Sequence, residues 1–432
     1  MNKNNKNKIE LLAPAGDMER LQVAVAHGAD AVYLGGTSLG LRAKAKNFTM
    51  TQIKEAVKYA HAHGVKVFVT ANVFAHNEDY DGMENYFCKL AEMGVDALII
   101  SDPGVFSVAK NSVRTRKKAG GEADFAEGKI TEPEMEIHVS TQANITSYQS
   151  ALFWAGLGAS RVVLARELSL TEIKEIHKKA GDKILLETFV HGSMCMAYSG
   201  RCLLSAFITH RGANRGECTN ACRFKYALQE EKRTGDYHPI YEDDGGTFIL
   251  NSKDLCMVHH IPEMLDAGIS SLKIEGRMKT PFYVATVVKT YREALDDYHK
   301  DPALYHDKKD YYLSELIKSS NRDFSTGFYL GPPGTDGQIY HEDSRGQTHN
   351  FIAIVRDYDQ NTGIATLEQR NKFSLGEEVE FLRAKRPNFS QKVSFLTDEH
   401  DNDLQSAPHA QQILKMKVDM PVSPLDILRG RI

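Results

Sequence analysis

Residues 27–36 read HGADAVYLGG, from His27 to Gly36, and the same construction returns along the chain. A helical pattern runs into a glycine, about two residues follow, and an apolar strand-like run begins. It recurs as HGVKVFVTAN around Gly64, MGVDALIISD around Gly94, LGASRVVLAR around Gly158, AGDKILLETF around Gly181 and AGISSLKIEG around Gly268. A glycine just past a helix end supplies the left-handed residue that closes the helix. A short loop into a Val/Ile/Leu-rich run is the helix-to-strand connection of a parallel sheet. Two more runs complete the series, IELLAPAG from Ile9 and EIHVSTQ around Ile137. The strands begin near Ile9, Ala31, Val67, Ala97, Ile137, Arg161, Ile184 and Ser271. Eight alternating units over roughly 300 residues predict an α/β fold, a TIM-type (β/α)8 barrel. A doubly wound open sheet is the alternative. It would be favoured by a dinucleotide fingerprint after the first strand, where Ala13-Pro14-Ala15-Gly16-Asp17 stands instead of GxGxxG.

Two insertions interrupt the series. Residues 113–134 are charged and nearly free of large apolar groups, and read as a flexible surface excursion. Residues 191–250 follow the seventh strand. Loops after strands lie on the C-terminal face of such a barrel, where active sites are built. The barrel domain is expected over 1–330, with a helix from Pro281 to His299 opened by its proline and a second near Tyr311 to Ser319. GPPGTDGQ, Gly331 to Gln338, opens a linker over 331–349. From 350 to 432 the texture becomes short alternating runs such as NFIAIVRDY and GEEVEFLR, the pattern of a small all-β domain, a β-barrel or else a sandwich.

The remaining bulk properties exclude more than they assign. The 432 residues are 42% apolar and 25% charged, with a formal net charge of −4. No apolar run reaches the roughly 18 residues of a membrane span. The N-terminal MNKNNKNK lacks the apolar core of a secretory signal, so a cytoplasmic protein with reduced thiols is expected. Mild acidity gives no global nucleic-acid signature, so any RNA binding must use a local basic patch.

The second insertion carries the densest chemistry. Cys195, Cys202, Cys218 and Cys222 fall within one short stretch, spaced Cys-x6-Cys-x15-Cys-x3-Cys, and the rest of the chain holds only Cys88 and Cys256, expected as structural thiols. Four thiolates can close a metal centre. The first pair is wider than a zinc knuckle and no histidine follows the last pair at ligand spacing. An iron–sulfur cluster tolerates irregular spacing. Spacing alone leaves three readings open: such a cluster, a zinc site, or buried small hydrophobes. Arg201, Arg211, Arg215, Arg223 and Lys225 interleave the cysteines. They could offset an anionic cluster, clamp a phosphate or carboxylate, or form a solvated basic surface.

Several longer matches now line up. Glu187-Thr188-Phe189-Val190-His191-Gly192-Ser193-Met194-Cys195 and Gly200-Arg201-Cys202-Leu203-Leu204-Ser205 match a family signature throughout. Ala213 to Arg223, Asn251 to Leu255, Ser271 to Arg277 and Asn321 to Phe328 match it as well. The chain resembles the peptidase U32 family from about residue 8 to residue 430. That resemblance implies a 4Fe–4S cluster on Cys195, Cys202, Cys218 and Cys222. It also implies hydroxylation that needs no molecular oxygen. By length and domain order the chain is most similar to the branch that makes 5-hydroxyuridine at the wobble position of tRNA, which also depends on prephenate. Peptidase or collagenase activity is the competing implication, and hydroxylation of ribosomal RNA a further one.

On the residues, proteolysis finds little support. Val258-His259-His260 lacks the HExxH pattern. Cys195 and His191 could be imagined as a nucleophile and base, but a thiolate bound to iron is not free to attack. Glu187 and Glu275 could face each other as paired carboxylates. An RNA hydroxylase needs groups to hold a splayed base and anions near a redox centre. Candidates expected at strand ends are Asn72, Asp102, His138, Gln142, Arg166, Glu187, His191, Glu275 and Arg277. Glu187, His191, Glu275 and Arg277 are assigned to catalysis. Arg166, Gln142, His138 and Asn72 are assigned to co-substrate binding, and Arg211, Arg215, Arg223 and Lys225 to tRNA. An electron-donor protein and a shorter paralogue of the same family are the other expected partners.

Overall fold

The computed structural model describes residues 9–37, 39, 47–119, 135–194, 211, 218–219, 228–229, 237–238, 252–333, 337, 339 and 347–432. Cys195, Cys202, Cys222, Arg201, Arg215, Arg223 and Lys225 lie outside the described residues.

Eight parallel strands form a closed barrel: β1 (Glu10–Pro14), β2 (Ala31–Gly35), β3 (Lys66–Ala71), β4 (Ala97–Ile100), β5 (Glu136–Val139), β6 (Arg161–Val163), β7 (Leu185–Gly192) and, after three short insertion strands, β11 (Ser271–Ile274). Closure comes from β11, which pairs with β1 at Leu272 opposite Leu11 and with β7 at Leu272 opposite Thr188. Each strand starts within a residue or so of its expected position. All six punctuating glycines stand at positive φ, between 59° at Gly181 and 106° at Gly28. That is the backbone region which favours glycine over residues with a Cβ.

Helices alternate with the strands: α1 (Met18–Ala26), α2 (Met50–Ala62), α3 (Met83–Glu92), α4 (Pro103–Ala119), α5 (Tyr148–Leu157) and α6 (Leu170–Ala180). Their starts are written locally. Thr49 and Gln52 close a capping box at α2, and Ser169 and Glu172 close one at α6. Each buries one stripe, Ile53, Ala56, Val57 and Ala60 in the first and Ile173, Ile176 and Ala180 in the second. α4 extends to Ala119, so the excursion expected at 113–134 begins as helix; residues 120–134 lie outside the described residues.

The insertion after the seventh strand departs from expectation at its edges. β7 runs to Gly192, so the excursion starts at Ser193 rather than at 191. Within it, β8 (Leu228–Gln229) and β9 (Tyr237–His238) form a short antiparallel pair. The chain then returns as β10 (Asp254–Cys256), antiparallel to β7 with Leu255 opposite Gly192 and Cys256 opposite His191. β12 (Phe324–Ser325) adds to β10 in parallel.

The chain divides into two compact units, 1–21 with 30–278 and 324–344, and 22–29 with 279–323 and 345–432. The expected boundary at residue 330 therefore shifts, because helices Pro281–Lys300 and Lys309–Ile317 group with the C-terminal sheet. The physical reason is a buried charge cluster. Arg429, wholly buried, donates to Glu315 at 2.7 Å and to Glu380 at 2.9 Å, which ties helix to sheet. The sheet itself is antiparallel with seven strands: β13 (His349–Asp359), β14 (Ile364–Gln369), β16 (Glu378–Leu382), β17 (Phe389–Lys392), β18 (Leu396–Asp398), β20 (Ile413–Lys417) and β21 (Ile427–Arg431). β15 (Phe373–Ser374) and β19 (Ser406–Ala407) make a separate pair. The order is β17-β16-β21-β13-β14-β20-β18, and β18 is continued by residues 402–404, with Thr397 bridged to Asp403 and Leu404 N donating to Leu396 O. The sheet's apolar face packs Val355, Leu367, Phe381, Leu414, Met416 and Leu428.

Candidate active site

Side chains alternate along each barrel strand, so the inward series can be followed from the N-terminal end to the mouth. The apolar layer is Leu12, Ala31, Tyr33, Phe68, Ala97 and Ile99. Beside it lies a charged cluster. Glu187, with no exposed surface, accepts from Arg161 Nη1 at 2.8 Å and from Lys273 Nζ at 2.8 Å. Arg161 also donates to Glu10 at 2.5 Å, and Ser271 Oγ donates to the same carboxylate at 2.9 Å. Lys273 stands over the rings of Tyr33 and Phe189, 4.6 Å and 5.5 Å from their centroids. Burial pushes the Glu187 carboxyl up, but Lys273 and Arg161 outweigh it and hold it at about 2. Burial lowers Lys273 from its ordinary range.

Two sequence assignments are corrected here. Glu187 is the third residue of β7, not a residue of its C-terminal end, and its carboxylate is committed to two cations. It does not face Glu275 as a protease pair. His138 is likewise the third residue of β5, fully buried, with Nε2 bonded to Glu136 at 2.8 Å. Burial, with Arg161 beside it, lowers His138, so it stands neutral below the mouth. Asp102 is a third structural case. Its Oδ1 accepts from the backbone N–H groups of Gly104 and Val105, capping α4, and from the Tyr80 hydroxyl.

The mouth gathers most of the other candidates. Tyr33 OH donates to Ile274 O at 2.9 Å and to Glu275 Oε2 at 3.2 Å. Arg277, nine-tenths buried, donates from Nη1 to Thr70 Oγ1 at 3.1 Å. Its position requires two glycines. A Cβ at Gly35 would stand 2.5 Å from Arg277 Nη1, and one at Gly16 would stand 2.0 Å from Arg277 O. Gly35, in the Gly-Gly that ends the opening stretch, thus clears space for an arginine far along the chain, while its neighbour Gly36 clears space for the Tyr86 hydroxyl. Two residues above Thr70 on the same face, Asn72 donates from Nδ2 to Gln142 Oε1 at 3.0 Å and to Ser140 Oγ at 3.3 Å. Ser140 Oγ donates to the same Gln142 oxygen, and Ser101 Oγ donates to Asn72 O at 3.0 Å.

At the exit of β7, Arg166 donates to Ser193 O at 2.8 Å and stacks on Phe189, 4.0 Å from its centroid. Tyr329 OH donates to Phe189 O at 2.6 Å. These contacts fix the backbone two residues before Cys195. His191 is buried, with its ring 5.2 Å from Phe324 and its carbonyl accepting from Glu275 N at 2.9 Å. Glu275, Arg277, Asn72, Gln142, Arg166 and His191 thus stand where barrel strands end, whereas Glu187 and His138 do not. Arg211 and Cys218 are both exposed. Sequence reasoning missed Tyr33, Thr70, Ser140, Gly16 and Gly35. The inward alternation of VYLGG and FVTAN could have flagged Tyr33 and Thr70.

The arrangement offers a guanidinium for an anion, an amide pair for the edge of a planar heterocycle, and a tyrosine–carboxylate pair, beside the strand that leads to the first cysteine.

The Peptidase family U32 model matches residues 16–117 and 125–339, and the Peptidase family U32 C-terminal domain model matches 347–429. The chain is 41% identical over 422 residues to the tRNA hydroxylation protein P1 of Bacillus subtilis, covering 98% of this chain and 94% of that one. It is 34% identical over 416 residues to the tRNA hydroxylation protein P of Escherichia coli, covering 87% and 86%. It is 31% identical over 392 residues to a protein of Porphyromonas gingivalis named collagenase, covering 87% and 86%.

Proposed function

We propose that this chain, which belongs to peptidase family U32, is a tRNA hydroxylase that converts the wobble uridine to 5-hydroxyuridine at C5, with a 4Fe–4S cluster and prephenate. The carrying observation is the likeness over almost the whole chain to proteins named for tRNA hydroxylation. The barrel mouth supports it, since its groups suit a base and an anion and form no protease constellation.

Cys195, Cys202, Cys218 and Cys222 are the ligands in this reading. The donor set fits the group, because four thiolates saturate one cubane cluster. Of the four, Cys218 is described, and it is exposed. Bound there, a cluster with every iron held by a protein thiolate would supply electron transfer rather than an open coordination position. Arg166 and the Tyr329 hydroxyl hold the strand end that delivers Cys195. Arg277 is the candidate for a carboxylate of prephenate, held against Thr70 so that its planar fork is oriented before the anion arrives. Glu275, held by Tyr33, is the candidate for a proton acceptor at the mouth. Arg211, Arg215, Arg223 and Lys225 are the candidates for tRNA phosphates.

In this reading the protein works in the cytoplasm, with an electron-donor protein and a shorter family member as partners. Among the described residues no helix is long and apolar enough to cross a membrane.

The test is nucleoside analysis of RNA from a strain lacking the protein. Loss of 5-hydroxyuridine derivatives from tRNA, restored by the intact gene, is expected. Unchanged tRNA with loss of 5-hydroxycytidine from ribosomal RNA would move the substrate. Peptide cleavage by cluster-depleted protein, with both RNAs unchanged, would return the chain to the peptidase reading.

A further inference from the structure

We infer that Asn72 is the residue that selects uridine, its Oδ1 accepting the N3–H of the uracil ring. Asn72 is nine-tenths buried at the barrel mouth, and its Oδ1 is a buried oxygen with no hydrogen-bond partner among the described residues. A buried polar atom left without a partner costs free energy, so it favours a ligand that brings the missing donor. The rest of the side chain is fixed. Nδ2 donates to Gln142 Oε1 and Ser140 Oγ, and the Ser140 hydroxyl spends its one proton on the same Gln142 oxygen. Turning Asn72 alone would set Oδ1 against that oxygen, acceptor against acceptor. Ser101 holds the Asn72 backbone carbonyl, which fixes the register of the residue.

The two pyrimidines differ at this atom. Uracil carries a proton on N3, whereas the N3 of cytosine is a bare acceptor. A site that offers one buried acceptor in a fixed direction satisfies the first and repels the second. Discrimination of this kind, in which the wrong ligand leaves a buried group unpaired, is large. Deeper in the barrel, Phe68 lies in one apolar cluster with Tyr33. Phe68 and His138 meet edge to face at 4.8 Å.

This inference rests on the tRNA hydroxylase reading, and the experiment separates the two. The full-length protein is titrated with three anticodon stem-loop RNAs that differ only at the wobble base, uridine, cytidine or N3-methyluridine, and binding is followed by fluorescence anisotropy. The wild type is expected to prefer uridine over the other two by about ten-fold or more. Asn72→Ala is expected to bring the three affinities together while keeping the shared phosphate contribution. Gln142→Glu cannot donate a hydrogen bond, so it holds Asn72 Nδ2 in its present direction. It is expected to weaken all three RNAs alike and keep the uridine preference, which also carries the test if Asn72→Ala does not fold. A uridine preference that survives in Asn72→Ala, or that is lost in Gln142→Glu, overturns the Asn72 assignment and leaves the hydroxylase reading standing. Equal binding of all three by the wild type also overturns the assignment. Failure of the wild type to bind any of them overturns the hydroxylase reading and the assignment with it.

Discussion

Replacing Glu187 by Gln keeps the shape of the side chain and removes the charge that Arg161 and Lys273 share. Arg161 keeps Glu10 as a partner. Lys273 keeps the ring faces of Tyr33 and Phe189. The carboxyl is held at about 2 against an ordinary value of 4.5. At about 1.4 kcal/mol for each tenfold change, that difference corresponds to roughly 3 kcal/mol. Removing one partner of a buried ion pair independently costs about 3–5 kcal/mol. The expected loss at neutral pH is therefore about 3–4 kcal/mol. The pH dependence has a definite sign. A depressed carboxyl stabilises fully above its unfolded value of 4.5, and the contribution is lost as pH falls from there towards 2. Trp154, the chain's one tryptophan, lies on α5 in the barrel unit, so its fluorescence during urea unfolding reports that unit. Glu187→Gln should shift the transition, and its stability should fall less steeply than that of the wild type below pH 4.5. Adding Lys273→Met should recover much of the loss, because an apolar replacement no longer strands a buried charge. A shift below about 1 kcal/mol, or an equal acid slope in both proteins, would refute the view of Glu187 as the clasp of the barrel core.

Three further outcomes are expected. Cys218→Ala should lose bound iron, the brown chromophore and wobble hydroxylation together; retention of chromophore and hydroxylation would remove Cys218 from the ligand set. tRNA binding should weaken with salt, and Arg215→Glu with Arg223→Glu should make that dependence shallower by about 0.7 in log–log slope for each phosphate no longer neutralised. An unchanged slope would place the tRNA elsewhere. His27 is held at about 4 by burial, against the opposing bond to the Val23 carbonyl. Its contribution to stability is complete above 6.5 and is lost as pH falls towards 4. His27→Leu should flatten the drop in melting temperature across that window, and an unaltered drop would refute the assignment.

The barrel was legible because its strands carry two independent marks, an apolar run and a glycine before it, and both are local. Alternation along a strand also says which residues share a face, but not how deep in the barrel they sit. Glu187 and His191 are four residues apart and look equivalent in the sequence, but β7 gains one residue on β11 between Phe189 and His191. Closure places the first between Arg161 and Lys273 and the second beside β10. His138 was misplaced for the same reason. The helices from Pro281 to Ile317 follow the eighth strand directly, and nothing local announces that they pack with the C-terminal sheet. That preference is set by the Arg429 contacts with Glu315 and Glu380, which join residues more than a hundred positions apart for the first and 49 for the second. Thr70 and Gly35 were missed because each matters only through Arg277, which comes from more than two hundred positions along the chain.

The antiparallel return of β10 on β7 brings the two ends of the segment 193–253 together. Gly192 and Leu255 face each other across one ladder, so the neck of the segment is drawn shut by the barrel wall. Ends held together relieve whatever binds inside of the entropy of bringing them together. The segment can then grow or shrink over evolutionary time, with the eight strands keeping their register. A scaffold of this kind lets the barrel keep its wall while the segment between β7 and β10 is exchanged.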